Sequence, residues 1–269
     1  MQYEPIKKSL QVIFTRSLFL RKTFYFFLNL LLLRAWHVKK AIKRISTALP
    51  EEASVLDAGS GFGQYAWLMS TLNKGWKIKA VDINPEQVEE CNDFIKRLGR
   101  SDRVNFEICD LTTLGITDHY DFIITVDVME HIEDDDLVFR NFYRSMKKDG
   151  ILLISTPSDK GGSDIHHEDE RSFIDEHVRG GYAKEEITSK LKRAGFARID
   201  VKYTYGKAGS ISWVLSMKYP VMMLNRSYLF LIILPFYYLV TFPFSFFLNI
   251  IDLNFRHDSG TGLLVVAEK

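Results

Sequence analysis

Three aspartates stand out by where they fall. Asp57 in VLDAGSGFG, Asp82 in AVDIN and Asp110 in ICDL each end a short strand-like apolar run. Ligands of open α/β sheets sit outside the carboxyl ends of the strands, so an acid at that point meets a ligand. The glycines of Gly59-Ser60-Gly61-Phe62-Gly63 permit a tight turn and close backbone approach. Asp57, just ahead of them, repels a pyrophosphate but attracts an ammonium. Asp82 is placed to accept from both hydroxyls of a ribose, and Asp110 from an exocyclic amine. The three acids together describe a ligand with ammonium, ribose and aminopurine groups and no phosphate. A dinucleotide site is the competing reading, but it wants a third glycine where Gln64 stands.

A second group follows the fourth strand in DVMEHIED, with Asp127, Glu130 and His131. Imidazole titrates near neutrality, so His131 reads either as a general base or as a helix-start residue that shapes the pocket; Glu130 is open in the same way. SDKGGSDIHHEDERSFIDEHVRGGYAKEE reads as a substrate lid, with Gly161, Gly162, Gly180 and Gly181 as flexible points. His166 is its substrate-facing candidate. Tyr182 either orients a substrate oxygen or anchors the next helix. His166, His167, Glu168 and Asp169 are packed into adjacent positions without the spacing a closed metal site favours, so no metal is assigned.

These residues need a frame, and the sequence supplies a regular alternation. SVLDAGSG, WKIKAVDIN, VNFEICD, YDFIITVDV, ILLISTP, ARIDVKYTY and GTGLLVVAEK read as seven strands. Between them QYAWLMSTLN, PEQVEECNDFIKRLG, DDDLVFRNFYRSMKKDG and AKEEITSKLKRAGF read as helices, with Pro85 in a first turn and Gly99 past an end. Alternation of this kind predicts an α/β, Rossmann-like, doubly wound and mostly parallel sheet.

From about Ser54 to Phe196 the sequence resembles the class I S-adenosylmethionine-dependent methyltransferases of the small-molecule "methyltransferase 11" type. VLDAGSGFG, VDIN, ICDL, DFIITVDVMEHIED and GILLISTP carry the resemblance. It implies S-adenosylmethionine as cofactor and a sheet order of 3-2-1-4-5-7-6. Asp57, Gly59, Ser60 and Gly61 would line the methionine end, Asp82 and Ile83 the ribose, Asp110 and Leu111 the adenine, and Asp127 the sulfonium. Catalysis would fall to His131, Glu130, His166 and Tyr182, although methyl transfer needs chiefly an in-line nucleophile and a dedicated base is optional.

Two greasy segments flank this domain. Residues 1–50 hold ten Lys/Arg and one acid, Glu4, while residues 51–269 hold 25 basic and 33 acidic residues. A basic arm suggests an anionic partner; the run LFLRKTFYFFLNLLLLR favours a membrane surface over nucleic acid, against the plainer reading of a helix packed on its own core. Residues 227–251 are uncharged and long enough to cross a bilayer. A strand after them must return to the sheet, which forbids a single crossing, and Pro235 and Pro243 offer breaks for a bent path. The expected organisation is an arm over 1–50, a catalytic domain over 51–206 and 253–269, and an apolar insertion over 207–252. Cys91 and Cys109 read as core filler and fit a reducing cytosol. The expectation is therefore an enzyme on the cytoplasmic face of an anionic membrane, peripheral or monotopic, acting on a lipophilic small molecule. The alternatives are a cofactor-binding scaffold without catalysis, or transfer to a soluble or protein acceptor.

Overall fold

The computed structural model describes residues 17–161 and 178–269. The start of the arm, with Lys7, Lys8 and Arg16, and most of the expected lid, with Gly162, His166, His167, Glu168, Asp169 and His177, lie outside them. The seven apolar runs form β1 (Ser54–Ala58), β2 (Lys77–Asp82), β3 (Val104–Ile108), β4 (Tyr120–Val126), β5 (Met146–Pro157), β6 (Arg198–Thr204) and β7 (Gly262–Glu268). Their order is β3-β2-β1-β4-β5-β7-β6, as expected. The first five are parallel; β7 runs antiparallel between β5 and β6. Strand β5 begins earlier than its apolar run, at Met146, because the helix before it stops at Ser145.

Helices cover both faces. On one lie α3 (Gln64–Leu72) and α4 (Pro85–Arg97); on the other lie α5 (Asp135–Ser145) and α6 (Lys184–Ala194). Local chemistry sets their ends. Asn84 accepts from the N–H groups of Glu86 and Gln87, with Pro85 in the first turn of α4. Asp134 caps α5 through Leu137 N–H at 3.1 Å, and Gly195 ends α6 in the left-handed region at φ 114°. Each side of the sheet then has its own apolar cluster, one built around Trp76, Phe94 and Phe122, the other around Phe139, Phe142 and Leu191.

The arm is part of the first cluster. It forms α1 (Leu18–Leu31) and α2 (Leu33–Ser46), which bury Tyr25, Leu33, Val38 and Ile42 against the domain. Arg21 is buried with them and donates to Tyr25 Oη, the carbonyls of Glu90 and Phe62, and Cys91 Sγ, all at 3.0–3.1 Å. Its guanidinium also stacks 4.8 Å from the Phe94 ring centroid. The picture of an arm resting freely on a membrane is corrected to this extent. One face packs on the domain's own core, leaving Phe19, Phe26 and Phe27 outward.

After β6 the chain leaves the sheet as a helical hairpin. It rises through α7 (Lys207–Trp213), a π turn (Val214–Lys218) and α8 (Tyr219–Arg226), and returns as α9 (Phe230–Asn254). Pro235 and Pro243 do not break α9, contrary to expectation. Each proline removes one N–H bond from a 25-residue helix, and packing against the rising limb outweighs that loss. The π turn assists, since its widened ladder frees carbonyls. Those of Leu215 and Ser216 accept the hydroxyls of Tyr237 and Tyr238 at 2.7 and 2.8 Å.

At the foot of the hairpin Asp252 is fully buried. It meets His37 of α2 at 2.8 Å and His257 at 3.1 Å, and accepts the N–H groups of Tyr205 and Gly209 at 3.2 and 3.1 Å. Burial pushes its carboxyl up; the His37 hydrogen bond and charge, with His257 and Gly209 N–H, outweigh burial and hold it below its ordinary value. A depressed carboxyl contributes stability above its unfolded value near 3.8 and loses it as pH falls through the folded value. Asp252→Ala strands two imidazoles and two amides, so thermal unfolding of the purified protein should show a loss of about 3–5 kcal/mol at neutral pH. That gap should narrow below about pH 4. An unchanged melting point at neutral pH would remove Asp252 as the anchor.

Candidate active site

The carboxyl ends of β1, β2, β3 and β4 open on one crevice. At β1 the chain turns through Gly59, whose φ of +76° suits only glycine; a Cβ there would lie 2.2 Å from Val128 Cγ2. The turn leads into α3 through Gly63, and Asp57 tucks beneath that helix start, where Ala66 N–H bonds it. Its other oxygen, Oδ2, is buried without a partner. Burial raises its carboxyl to about 7, a shift that the Ala66 bond offsets only in part.

Asp82, ending β2, fastens the glycine turn. It accepts Gly61 N–H on Oδ2 at 2.7 Å and Asn84 N–H on Oδ1 at 2.9 Å. Ile83 beside it is exposed. Asp110, just past β3, accepts both Thr112 N–H and Thr112 Oγ1 on Oδ1, at 2.9 and 2.8 Å. Asn141 of α5 holds that turn by donating to the carbonyls of Leu111 and Thr112. Leu111 is buried. Asp57, Gly59, Ser60, Gly61, Asp82, Ile83, Asp110 and Leu111 thus stand at the adjacent carboxyl ends of β1, β2 and β3.

Asp127, at the end of β4, occupies the left-handed region at φ 52°. Its partner is Arg34 of α2, which forms an ion pair with it. Arg34 N–H also donates to Tyr205 Oη at 2.9 Å, and its guanidinium lies against the buried Tyr65 hydroxyl. No local signal could have found this residue. It joins the site across 93 positions of sequence, and among the arm's basic residues nothing distinguishes it. Glu130 is buried, accepts from Thr156 Oγ1 at 3.1 Å, and has its carboxyl raised by burial. His131 is half-buried on the 3-10 turn Met129–His131 that follows Asp127.

Tyr182 stands elsewhere. It is fully buried in the second cluster, its hydroxyl 2.7 Å from Asp135 Oδ2 and 3.0 Å from Met129 O, with Arg179 and Lys190 also on Asp135. Burial, and the carboxylate beside it, raise its phenol. Of its two readings the structure supports the anchor: Tyr182 ties α6 to the turn bearing Glu130. Among the described residues no group of three or more His, Cys, Asp or Glu is placed to hold a metal.

The crevice suits the ligand that the acids describe. Asp57 Oδ2, Ser60 Oγ and Arg34 Nε are all buried there without a hydrogen-bond partner. An ammonium fits the first and a carboxylate the other two, so an amino-acid moiety would satisfy all three. S-adenosylmethionine carries both groups on its methionine end.

Comparison with known proteins agrees. A family profile described as "Methyltransferase domain" matches residues 49–195. Phosphoethanolamine N-methyltransferase 1 of Triticum aestivum is 30% identical over 155 residues, which are 57% of this chain and 26% of that protein. Ubiquinone biosynthesis O-methyltransferase of Rickettsia canadensis is 28% identical over 102 residues, 38% of this chain and 42% of the relative. The chain thus spans less than half the length of either. The solved phosphoethanolamine N-methyltransferase 2 of Haemonchus contortus, in complex with S-adenosyl-L-methionine, superposes with a TM-score of 0.61 at 20% identity. It covers 87% of this chain and 52% of its own, a likeness of fold.

The strained electrostatics of Asp57 give a direct test. A carboxyl raised in the folded state is fully stabilising below its unfolded value and loses that contribution as pH rises through about 7. Without ligand, melting temperature should therefore fall between pH 4 and 8, with Glu130 adding in the same sense. Asp57→Asn should recover on the order of 3–4 kcal/mol at pH 8 and nothing at pH 4. An equal effect of the substitution at both values would show that Asp57 is not buried as described.

Proposed function

This chain belongs to the methyltransferase-domain family, and we propose that it transfers the methyl group of S-adenosylmethionine to a lipophilic small molecule at the cytoplasmic face of a membrane. When bound, the cofactor supplies an electrophilic methyl on a sulfonium, so the protein has chiefly to hold the acceptor in line and exclude water. Asp57 takes the methionine ammonium, relieving its buried charge, while Ser60 and Arg34 face the carboxylate. Gly59 and Gly61 let the backbone approach. Asp82 and Ile83 hold the ribose, and Asp110 and Leu111 the adenine. Asp127 stands at the reacting end. Glu130 and His131 border the acceptor side, with the His131 imidazole the candidate general base.

One observation carries the membrane and substrate parts of this reading. The exposed apolar hairpin is tied to the arm and to the chain just past β6, because Asp252 binds at once the hairpin, His37 of α2 and the Tyr205 amide. Three residues before His37, Arg34 enters the crevice. Helix α9 is long and apolar enough to cross a bilayer and almost none of it is buried. Apolar surface on that scale needs lipid or a partner. Placed beside an active site, it supports an acceptor that arrives from the lipid phase: a quinone precursor, a polyene or aromatic lipid, or a lipid headgroup. Relatives named for phosphoethanolamine and for ubiquinone biosynthesis support a small-molecule acceptor in general. The scaffold alternative fits poorly with three acids intact at consecutive strand ends.

Two measurements test this. Lipid extracts incubated with the protein and methyl-labelled S-adenosylmethionine should yield labelled product in the organic phase by mass spectrometry. Label confined to aqueous products would overturn the lipophilic acceptor. In calorimetric titration Asp82→Ala should weaken cofactor binding by tenfold or more; undiminished affinity would favour a different ligand for the crevice.

A further inference from the structure

Resting on the membrane reading above, we propose that the hairpin does not lie along the membrane but crosses it as a two-helix unit. Its tip, around Arg226 and Tyr228, reaches the far headgroup layer, and both feet stay on the side of the enzyme domain. Three features of the hairpin carry this.

The first is the distribution of polarity. The two limbs meet along a seam of small and polar residues, Gly209, Ser212 and Ser216 against Ser245, Asn249 and Asp252, all buried. Ser212 Oγ donates to Ser245 O at 3.1 Å, and Gly209 approaches so closely that a Cβ would lie 2.5 Å from Asp252 Oδ2. The outward surface is the reverse, with Ile232, Phe236, Leu239, Phe244 and Phe247 each at least 63% exposed. A helix lying in the interface turns a polar face to water. Here the polar face of α9 is turned to its partner and the outside is apolar, as in packed membrane helices.

Length is the second. The 25 residues of α9 span about 37 Å and the twenty of the rising limb about 30 Å, which matches a hydrocarbon core of about 30 Å. The third is charge. Polar residues collect at the two ends: Lys207, Asp252, Arg256 and His257 at the feet, Asn225 and Arg226 at the tip. Between them stands one charge, Lys218, half-buried on the π turn, where a flexible stem lets its ammonium seek polar surroundings. Tyr228 at the tip has the amphipathic ring favoured at a headgroup layer.

The test uses the full chain with Cys109→Ser, leaving Cys91 buried, and a single probe cysteine at Tyr228→Cys. A Glu89→Cys version, on an exposed position of α4, reports which way the domain faces. Each is reconstituted into sealed vesicles of phosphatidylcholine and phosphatidylglycerol, floated, and treated from outside with a membrane-impermeant maleimide. In the vesicles whose domain faces outward, the tip should label at less than a tenth of the Glu89→Cys level until a pore-forming peptide admits the reagent, and then equally. Labelling of the tip in intact vesicles would overturn the crossing while leaving membrane docking in place. A tip that labels only after detergent would place it inside the hydrocarbon and overturn the crossing too. Failure of the protein to float would overturn the membrane reading itself.

Discussion

A carboxylate removed from water is tolerated only when its lone pairs are met, and Asp252 is met from four directions. Two imidazoles and two backbone amides converge on it, from α2, from the chain after the hairpin, from the end of β6 and from the start of α7. The last two are consecutive in sequence, but α2 lies about 170 residues before them and the chain after the hairpin about 50 after them. The requirement that one buried charge be satisfied thus forces the arm, the hairpin and the sheet edge into a single geometry. Lys40 reinforces it, donating to Leu253 O and Asn254 Oδ1.

That geometry is transmitted to the crevice over very few bonds. Tyr205 sits in the left-handed region at φ 55°, an unfavourable state for a bulky residue that persists only where its surroundings determine it. Its amide is held by Asp252 and its hydroxyl by Arg34 N–H. Arg34 in turn reaches Asp127, which is also left-handed. The two non-glycine residues of unusual backbone nearest the site are therefore the two that the arm contacts. The arm closes the other flank as well, since Arg21 and Tyr25 both bond the Phe62 carbonyl of the glycine turn. What composition marked as a separate basic extension is structurally tied to both the glycine turn after β1 and Asp127 after β4.

The sheet was legible because β1, β4 and β5 are near-continuous apolar runs while β2, β3 and β6 alternate apolar with polar residues, and both patterns depend on neighbours in sequence. The same holds for Pro85 in a first turn, for Gly99 past a helix end and for the three strand-end acids. Arg34 was not legible, since its ion pair with Asp127 exists only once α2 has docked. Nor were the paths of Pro235 and Pro243, whose local preference to break a helix is overridden by tertiary contact at Tyr237 and Tyr238. Tyr182 had two readings that only packing separates; its ring fills a core position and its hydroxyl is committed to Asp135. Local pattern identified the elements and the acids. Long-range contact decided how the extensions met them.

The last strand has a bearing on how the molecule is made. β7 is an interior strand, hydrogen-bonded on both sides, yet the ribosome delivers it after α9. Until then β5 and β6 have no common neighbour and the sheet is split. The most apolar helix therefore emerges while the domain is still open, with no finished core to receive it, and hydrophobic segments in that state are captured or aggregate. Closure of the sheet therefore depends on where the hairpin settles, since β7 can join β5 and β6 only when the two feet of the hairpin stand side by side.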